Sequence, residues 1–239
     1  MTMQVGMVGT NGVLIASDTR WMNPPMLREN QFWAGGRHTF NSPKITICHE
    51  RGLAISCAKD MNTARHVANE IIRTMKDEDL RYPISSIETI GASVLRSAEQ
   101  PNPDAQCLIA FAHPVAQLFL FQFATVNGQR VPACQQMGTF AIAGDNINPA
   151  IYWPERYYQK LPIERLVPLA AHTIIAAHKL FNGAISGLEI VLCDASGVHR
   201  LSDDSIGELE LKANEWDKEI GGLFLNHQQQ FTYAPHEAG

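Results

Sequence analysis

The residue of this sequence with the most chemistry within reach is a threonine in second position, directly behind the initiator methionine. Methionine in front of a residue as small as threonine is ordinarily trimmed, and its loss would give Thr2 a free α-amino group. A threonine hydroxyl is a weak nucleophile until a base takes its proton. The amine of the same residue can be that base, because its ordinary pKa is about 8, well under the ~10.4 of a lysine. Nucleophile and base would then be one residue. A lysine close by would favour the deprotonated hydroxyl through its charge, and an aspartate would keep that lysine charged and oriented.

Other chemistries lack their residues. There is no G-x-x-x-x-G-K-[ST] phosphate loop and no G-x-G-x-x-G between a strand and a helix. In Gly183-Ala184-Ile185-Ser186-Gly187 the serine falls one place too late for a G-x-S-x-G elbow. His172 and His178 are not spaced to share a helix face, so a zinc site on them is not expected. The five cysteines are scattered without a C-x-x-C pair, which points to reduced thiols in a cytoplasmic protein. A net charge of -5 and the lack of any Lys/Arg run argue against nucleic-acid binding. Neither a signal-peptide pattern nor an apolar run long enough to span a membrane is present. Thr2 chemistry would need no metal and no cofactor.

The elements that must position Thr2 follow from periodicity. Residues 3–9 and 12–18 read as two strands joined through Gly9-Thr10-Asn11-Gly12, with Asn-Gly as a type I′ hairpin signal. Residues 21–43, which hold Pro24-Pro25, Gly35-Gly36, Trp21 and Trp33, read as a long inserted loop. The tryptophans would pack a subunit contact or line a substrate pocket. A second hairpin is expected over Lys44–Cys48 and Gly52–Cys57. A helix follows from Asp60, with Met61, Ala64, Ala68, Ile71 and Met75 on one face. Another helix follows Pro83, where Ser85 and Glu88 suggest a capping box. Strands are expected at Gln106–Ala112 and Ala116–Ala124, with shorter ones after the Asn127-Gly128 turn up to Ala143.

Residues 148–160 and 165–181 read as helical, and Leu188–Cys193 with Val198–Leu201 as a strand pair. A helix from Asp203 to Asn214, a glycine-broken piece and a polar tail over about 226–239 close the chain. Helices arriving in pairs between hairpin-connected strands fit antiparallel sheets better than a doubly wound parallel sheet. The expectation is an α+β fold, a four-layer αββα sandwich, with residues 1–239 as a single domain.

The first seventy-five residues resemble the proteasome β-type subunits of the N-terminal-nucleophile (Ntn) hydrolases. The resemblance rests on Thr2 followed by Val5-Gly6, then Ala16-Ser17-Asp18-Thr19-Arg20, then Ser42-Pro43-Lys44-Ile45 and the strand from Gly52. Ser186-Gly187 after a long helix extends it to about residues 163–205. The departures are a longer stretch between Asp18 and Lys44, Asn182-Gly183 where many members carry an aspartate, and Gly144-Asp145-Asn146 in place of a Gly-Ser-Gly element. They place the chain among divergent bacterial proteasome homologues of the HslV-like type.

What the resemblance implies is a threonine endopeptidase freed by loss of Met1. Thr2 would be the nucleophile and its amine the base; Lys44 would lower the hydroxyl's pKa, and Asp18 would pair with Lys44. Ser186 would be a fourth catalytic residue, with Asp145 and Asn182 as weaker candidates. A backbone amide near Cys57–Lys59 would hold the oxyanion. The substrate would be a peptide or unfolded protein, and the partners further copies in a homo-oligomer of rings, with an ATP-dependent unfoldase. The alternatives are an Ntn acylase acting on small amides, and a non-catalytic assembly subunit that keeps Met1.

Overall fold

The computed structural model of the chain describes residues 2–22, 27–28, 31–32, 39–76, 79–80, 82–98, 104–181 and 185–225. It is α+β, with two five-stranded antiparallel sheets face to face and helices on both outer sides. The first sheet runs in the order β12 (Phe140–Gly144), β1 (Met3–Val8), β2 (Gly12–Ser17), β13 (Glu189–Asp194) and β14 (Gly197–Arg200). The second runs β11 (Gln129–Met137), β10 (Gln117–Val126), β9 (Ala105–Phe111), β8 (Leu53–Lys59) and β7 (Ile45–Cys48).

Alternation along β1 and β2 explains the layering. Met3, Val5, Met7, Leu14 and Ala16 point outward onto α4 (Ile163–Leu180), where Leu166, Ala170, Ile174 and Ala177 complete one core. α3 (Tyr152–Tyr157) and α5 (Asp203–Leu225) border the same layer. On the other side, α1 (Met61–Thr74) and α2 (Pro83–Ser97) cover the second sheet. Ala64, Val67, Ala68 and Ile71 meet Ile55, Cys57, Cys107 and Phe121 there. The expected face of α1 is the buried one, and Asp60 caps it by accepting from Asn62 N at 3.1 Å.

Between the sheets lie Val13, Ile15, Val191 and Cys193 against Ala54, Ala58, Leu108 and Leu118. Gly6 makes room for this layer, because a β-carbon on it would stand 2.8 Å from Cδ2 of Leu118. At one end the layer turns polar. Gln4, Ser17 and Glu189 are register partners across β1, β2 and β13, all buried, and Ser56 is buried on β8. Buried polar groups need partners, and this end of the sandwich holds the site.

Several expectations are corrected. Neither Asn11 nor Gly12 has positive φ, so the first hairpin is not a type I′ turn; Gly9–Gly12 form a four-residue loop closed by Gly9 N donating to Gly12 O at 2.8 Å. Asn127 and Gly128, at φ 51° and 78°, do form the two-residue turn that Asn-Gly signals. No capping box starts α2, because Pro83 opens the helix two residues before Ser85. Glu88 instead accepts from Cys134 N at 3.0 Å.

The strand after Asn127-Gly128 is not short, since β11 runs nine residues. The 21–43 stretch is not a loop throughout. β3 (Arg20–Met22) pairs with β6 (Thr39–Asn41), and the short β4 (Leu27–Arg28) and β5 (Gln31–Phe32) pair within it. α5 continues through Gly221-Gly222 rather than breaking. Trp33, Asn182 and the 226–239 tail lie outside the described residues. Among the described residues no helix is long and apolar enough to cross a membrane.

Candidate active site

Thr2 precedes β1 at the polar end of the sandwich, and its backbone is fixed from the neighbouring strand. Asp145 N donates to Thr2 O at 2.8 Å, just beyond the end of β12. Gly144, at φ 91°, brings that chain against Thr2. β1 and β2 then return Asp18 to the same place. Met3 N donates to Asp18 Oδ1 at 2.9 Å and Asp18 N to Met3 O at 3.1 Å, so the aspartate is locked to the residue after Thr2.

Lys44 enters from the second sheet, one residue before β7. Its Nζ donates to Thr2 Oγ1 at 3.0 Å and to Asp18 Oδ2 at 2.7 Å. Both side chains of the ion pair are fully buried. Asp18 Oδ2 also accepts from Arg20 N at 3.3 Å. Burial pushes the Asp18 carboxyl above the usual carboxylate range, and the Lys44 charge with the Met3 and Arg20 amides opposes that. Burial likewise lowers Lys44 from the ordinary 10.5, against the charges of Asp18 and Glu189. A buried pair of this kind costs desolvation that only close geometry returns, and the single ammonium is shared between carboxylate and hydroxyl.

The remaining candidates are placed less directly. Ser186 contributes through its carbonyl, which accepts from Thr19 N at 3.0 Å and so holds the residue after Asp18. Asp145 contributes its amide to Thr2, while its carboxylate accepts from Asn148 Nδ2 at 3.2 Å. Ile55 and Cys57 both pack into the core under α1. The carbonyl of Cys57 accepts from Gln4 Nε2 at 2.6 Å, and its amide donates to Lys44 O at 3.3 Å. Lys59 ends β8 at φ 69°, a left-handed conformation uncommon for a side-chain-bearing residue and often found near functional sites. Its presence where the oxyanion amide was expected marks an irregular strand end there.

Nothing in the spacing of the sequence singles out Glu189. Buried at the start of β13, its carboxylate accepts from Lys44 N and from Ile45 N, the latter at 3.0 Å, and pairs with Arg200. The available signal was a lone acid opening the apolar run Ile190-Val191-Leu192-Cys193. Among the described residues no cluster of three or more His, Cys, Asp or Glu could hold a metal. His172 is instead enclosed by the rings of Trp153 and Trp216.

No protein-family model matches the chain, and no curated protein matches it. Solved structures do. Anbu (ancestral beta-subunit) from Yersinia bercovieri superposes with a TM-score of 0.69 at 14% identity, covering 97% of this chain and 100% of that one. Anbu from Hyphomicrobium sp. strain MC1 gives 0.65 at 14% over 97% and 100%. The Anbu complex from Pseudomonas aeruginosa, described as a helical assembly, gives 0.67 at 13% over 100% of both chains. The expected HslV-like assignment is thereby corrected. The similar structures are Anbu proteins, a family distinct from HslV, and the proteasome-like Ntn fold is what they share. At these identities the likeness establishes the fold: this chain has the proteasome-like Ntn architecture of the Anbu structures.

Proposed function

We propose that the chain is a threonine-type hydrolase of peptide bonds, with Thr2 as nucleophile once Met1 is removed. The observation that carries this reading is the placement of Lys44 Nζ, 3.0 Å from Thr2 Oγ1 and 2.7 Å from Asp18 Oδ2. Thr2 Oγ1 attacks the peptide carbonyl carbon and its proton passes to the Thr2 amine, directly or through a water. Collapse of the tetrahedral species breaks the C–N bond, the amine returns the proton to the leaving nitrogen, and an ester remains on Thr2. Water then attacks the ester, gives a proton back to Oγ1 and releases the acid. Lys44 stabilises the developing alkoxide electrostatically, and Asp18 keeps it in place.

The chain works as one domain in the cytoplasm, with peptide or unfolded protein as substrate. It works in association with further copies, in keeping with the assembly described for the Pseudomonas aeruginosa Anbu complex.

An epoxyketone tests this reading, since it reacts with both the hydroxyl and the amine of an N-terminal threonine. Intact-mass analysis of assembled, Met1-free protein is expected to show one adduct per chain, absent in Thr2→Ala. No adduct on the parent protein, or an adduct that persists in Thr2→Ala, overturns it. A chain purified from its native host with Met1 retained would favour a non-catalytic assembly subunit.

A further inference from the structure

β7 is the edge strand of the second sheet, paired on one side with β8. On its other side a pair of side chains takes the place of a strand. Glu189 Oε1 accepts from both Lys44 N and Ile45 N, Glu189 Oε2 pairs with Arg200, and Arg200 Nη2 donates to Ile45 O at 2.8 Å. Glu189 opens β13 and Arg200 ends β14, both in the first sheet. Two residues of one sheet therefore satisfy three backbone groups of the other, Lys44 N, Ile45 N and Ile45 O, at the point where Lys44 turns toward Thr2. From the opposite side Cys57 N holds Lys44 O at 3.3 Å. The Lys44 backbone is gripped from β8 and from β13 together.

We propose that Glu189 and Arg200 are a positioning pair that sets where Lys44 enters the site, so that reaction at Thr2 depends on two residues that do not touch Thr2. This rests on the reading that Lys44 serves Thr2. The Glu189 carboxylate does a second thing from the same position: its charge favours the protonated form of Lys44, against the burial that lowers it. A pair kept for stability alone would affect global unfolding and leave labelling at Thr2 in the folded protein at the parental rate.

The test uses Met1-free, assembled protein and the variants Glu189→Gln, Glu189→Asp and Arg200→Lys. Two measurements are made: hydrogen exchange of the segment 42–48, and the pH dependence of epoxyketone labelling at Thr2. Glu189→Gln is expected to speed exchange in 42–48 while α1 and α4 stay protected. Labelling should slow by about tenfold to hundredfold, the scale of an ångström-sized misplacement, and its alkaline limb should move to lower pH. Glu189→Asp, which keeps the charge on a shorter arm, should restore the position of the limb more than the rate.

Arg200 is about a third exposed at its side chain, so Arg200→Lys decides the matter if Glu189→Gln does not fold. It should raise exchange in 42–48 and slow labelling with the limb unmoved. Unchanged exchange and unchanged labelling in either folded variant overturn the proposal. If the parent protein is not labelled at all, it is the Thr2 reading that fails, and the exchange data alone decide whether the pair holds Lys44.

Discussion

Gly144 lies so close beneath Thr2 that a β-carbon built on it would run into the Thr2 carbonyl. Its φ of 91° also lies in the region that side-chain-bearing residues avoid. The next amide, Asp145 N, donates to that same carbonyl at 2.8 Å. The glycine therefore does for Thr2 what a tight turn does for a ligand: it lets backbone approach backbone. Gly144→Ala should displace Thr2 and cut epoxyketone labelling by about a hundredfold. The helices α1 and α2, which pack on the other sheet, should keep their hydrogen-exchange protection. Labelling at the parental rate in a folded Gly144→Ala protein would show that Thr2 does not need this contact.

Lys44→Met leaves the Asp18 carboxylate fully buried without its cation. Removing one partner of a buried pair costs about 3–5 kcal/mol, because the remaining charge is uncompensated. The sign of the pH dependence follows. Burial already raises Asp18 above the ordinary 3.8, and without Lys44 it rises further. A carboxyl whose folded pKa is raised contributes stability that is present below its unfolded pKa and is lost as pH rises through the folded one. The deficit of Lys44→Met relative to the parent, measured by denaturant unfolding, should thus be smaller at pH 5 than at pH 8. A pH-independent deficit would mean that Asp18 finds another cation.

Asn11 has a different partner from the one its neighbour suggests. Its Oδ1 accepts from Ile163 N at 2.8 Å and its Nδ2 donates to Glu164, so it caps α4 from a distant loop. Pro162, in the cap position itself, makes no side-chain cap hydrogen bond. Asn11→Gly separates the two readings. A type I′ turn would tolerate glycine there, whereas loss of a cap costs about 0.5–2 kcal/mol. Thermal unfolding should show that loss for Asn11→Ala, and a loss for Asn11→Gly too, because either change removes the side-chain oxygen that Ile163 N donates to.

That residue shows where sequence and fold part. Periodicity located α1, α4 and the strand pairs because their buried faces recur at fixed spacing, and Asp18 and Lys44 were legible because each borders an element in a familiar order. Asn11 reads as a turn residue because the Asn-Gly signal is local, while its partner lies on α4, far along the chain. Glu189 is silent in the sequence for the same reason: its partners Lys44 and Ile45 lie across the sandwich, and nothing within β13 announces them. In the 21–43 stretch Pro24-Pro25 and Gly35-Gly36 signal a loop, and strands as short as β3 and β6 carry too little pattern to overrule them. Gly221-Gly222 in α5 reads as a break at about 1 kcal/mol per glycine in a helix interior, yet the helix continues through them.

The role of Lys44 can be read from the alkaline side of the labelling profile. Two roles are chemically open to a lysine 3.0 Å from a hydroxyl. As an ammonium it stabilises the alkoxide of Thr2; as a neutral amine it would take the proton itself. The first predicts that labelling rises as the Thr2 amine loses its proton and falls as Lys44 titrates. The second predicts that labelling keeps climbing through the titration of Lys44. Burial lowers Lys44, so the falling limb should lie below the ordinary 10.5. Asp18→Asn keeps an acceptor for Met3 N and removes the anion that favours the ammonium, so it should move the limb to still lower pH. A rate that climbs without falling as Lys44 loses its charge would make Lys44 the base and leave the Thr2 amine a spectator.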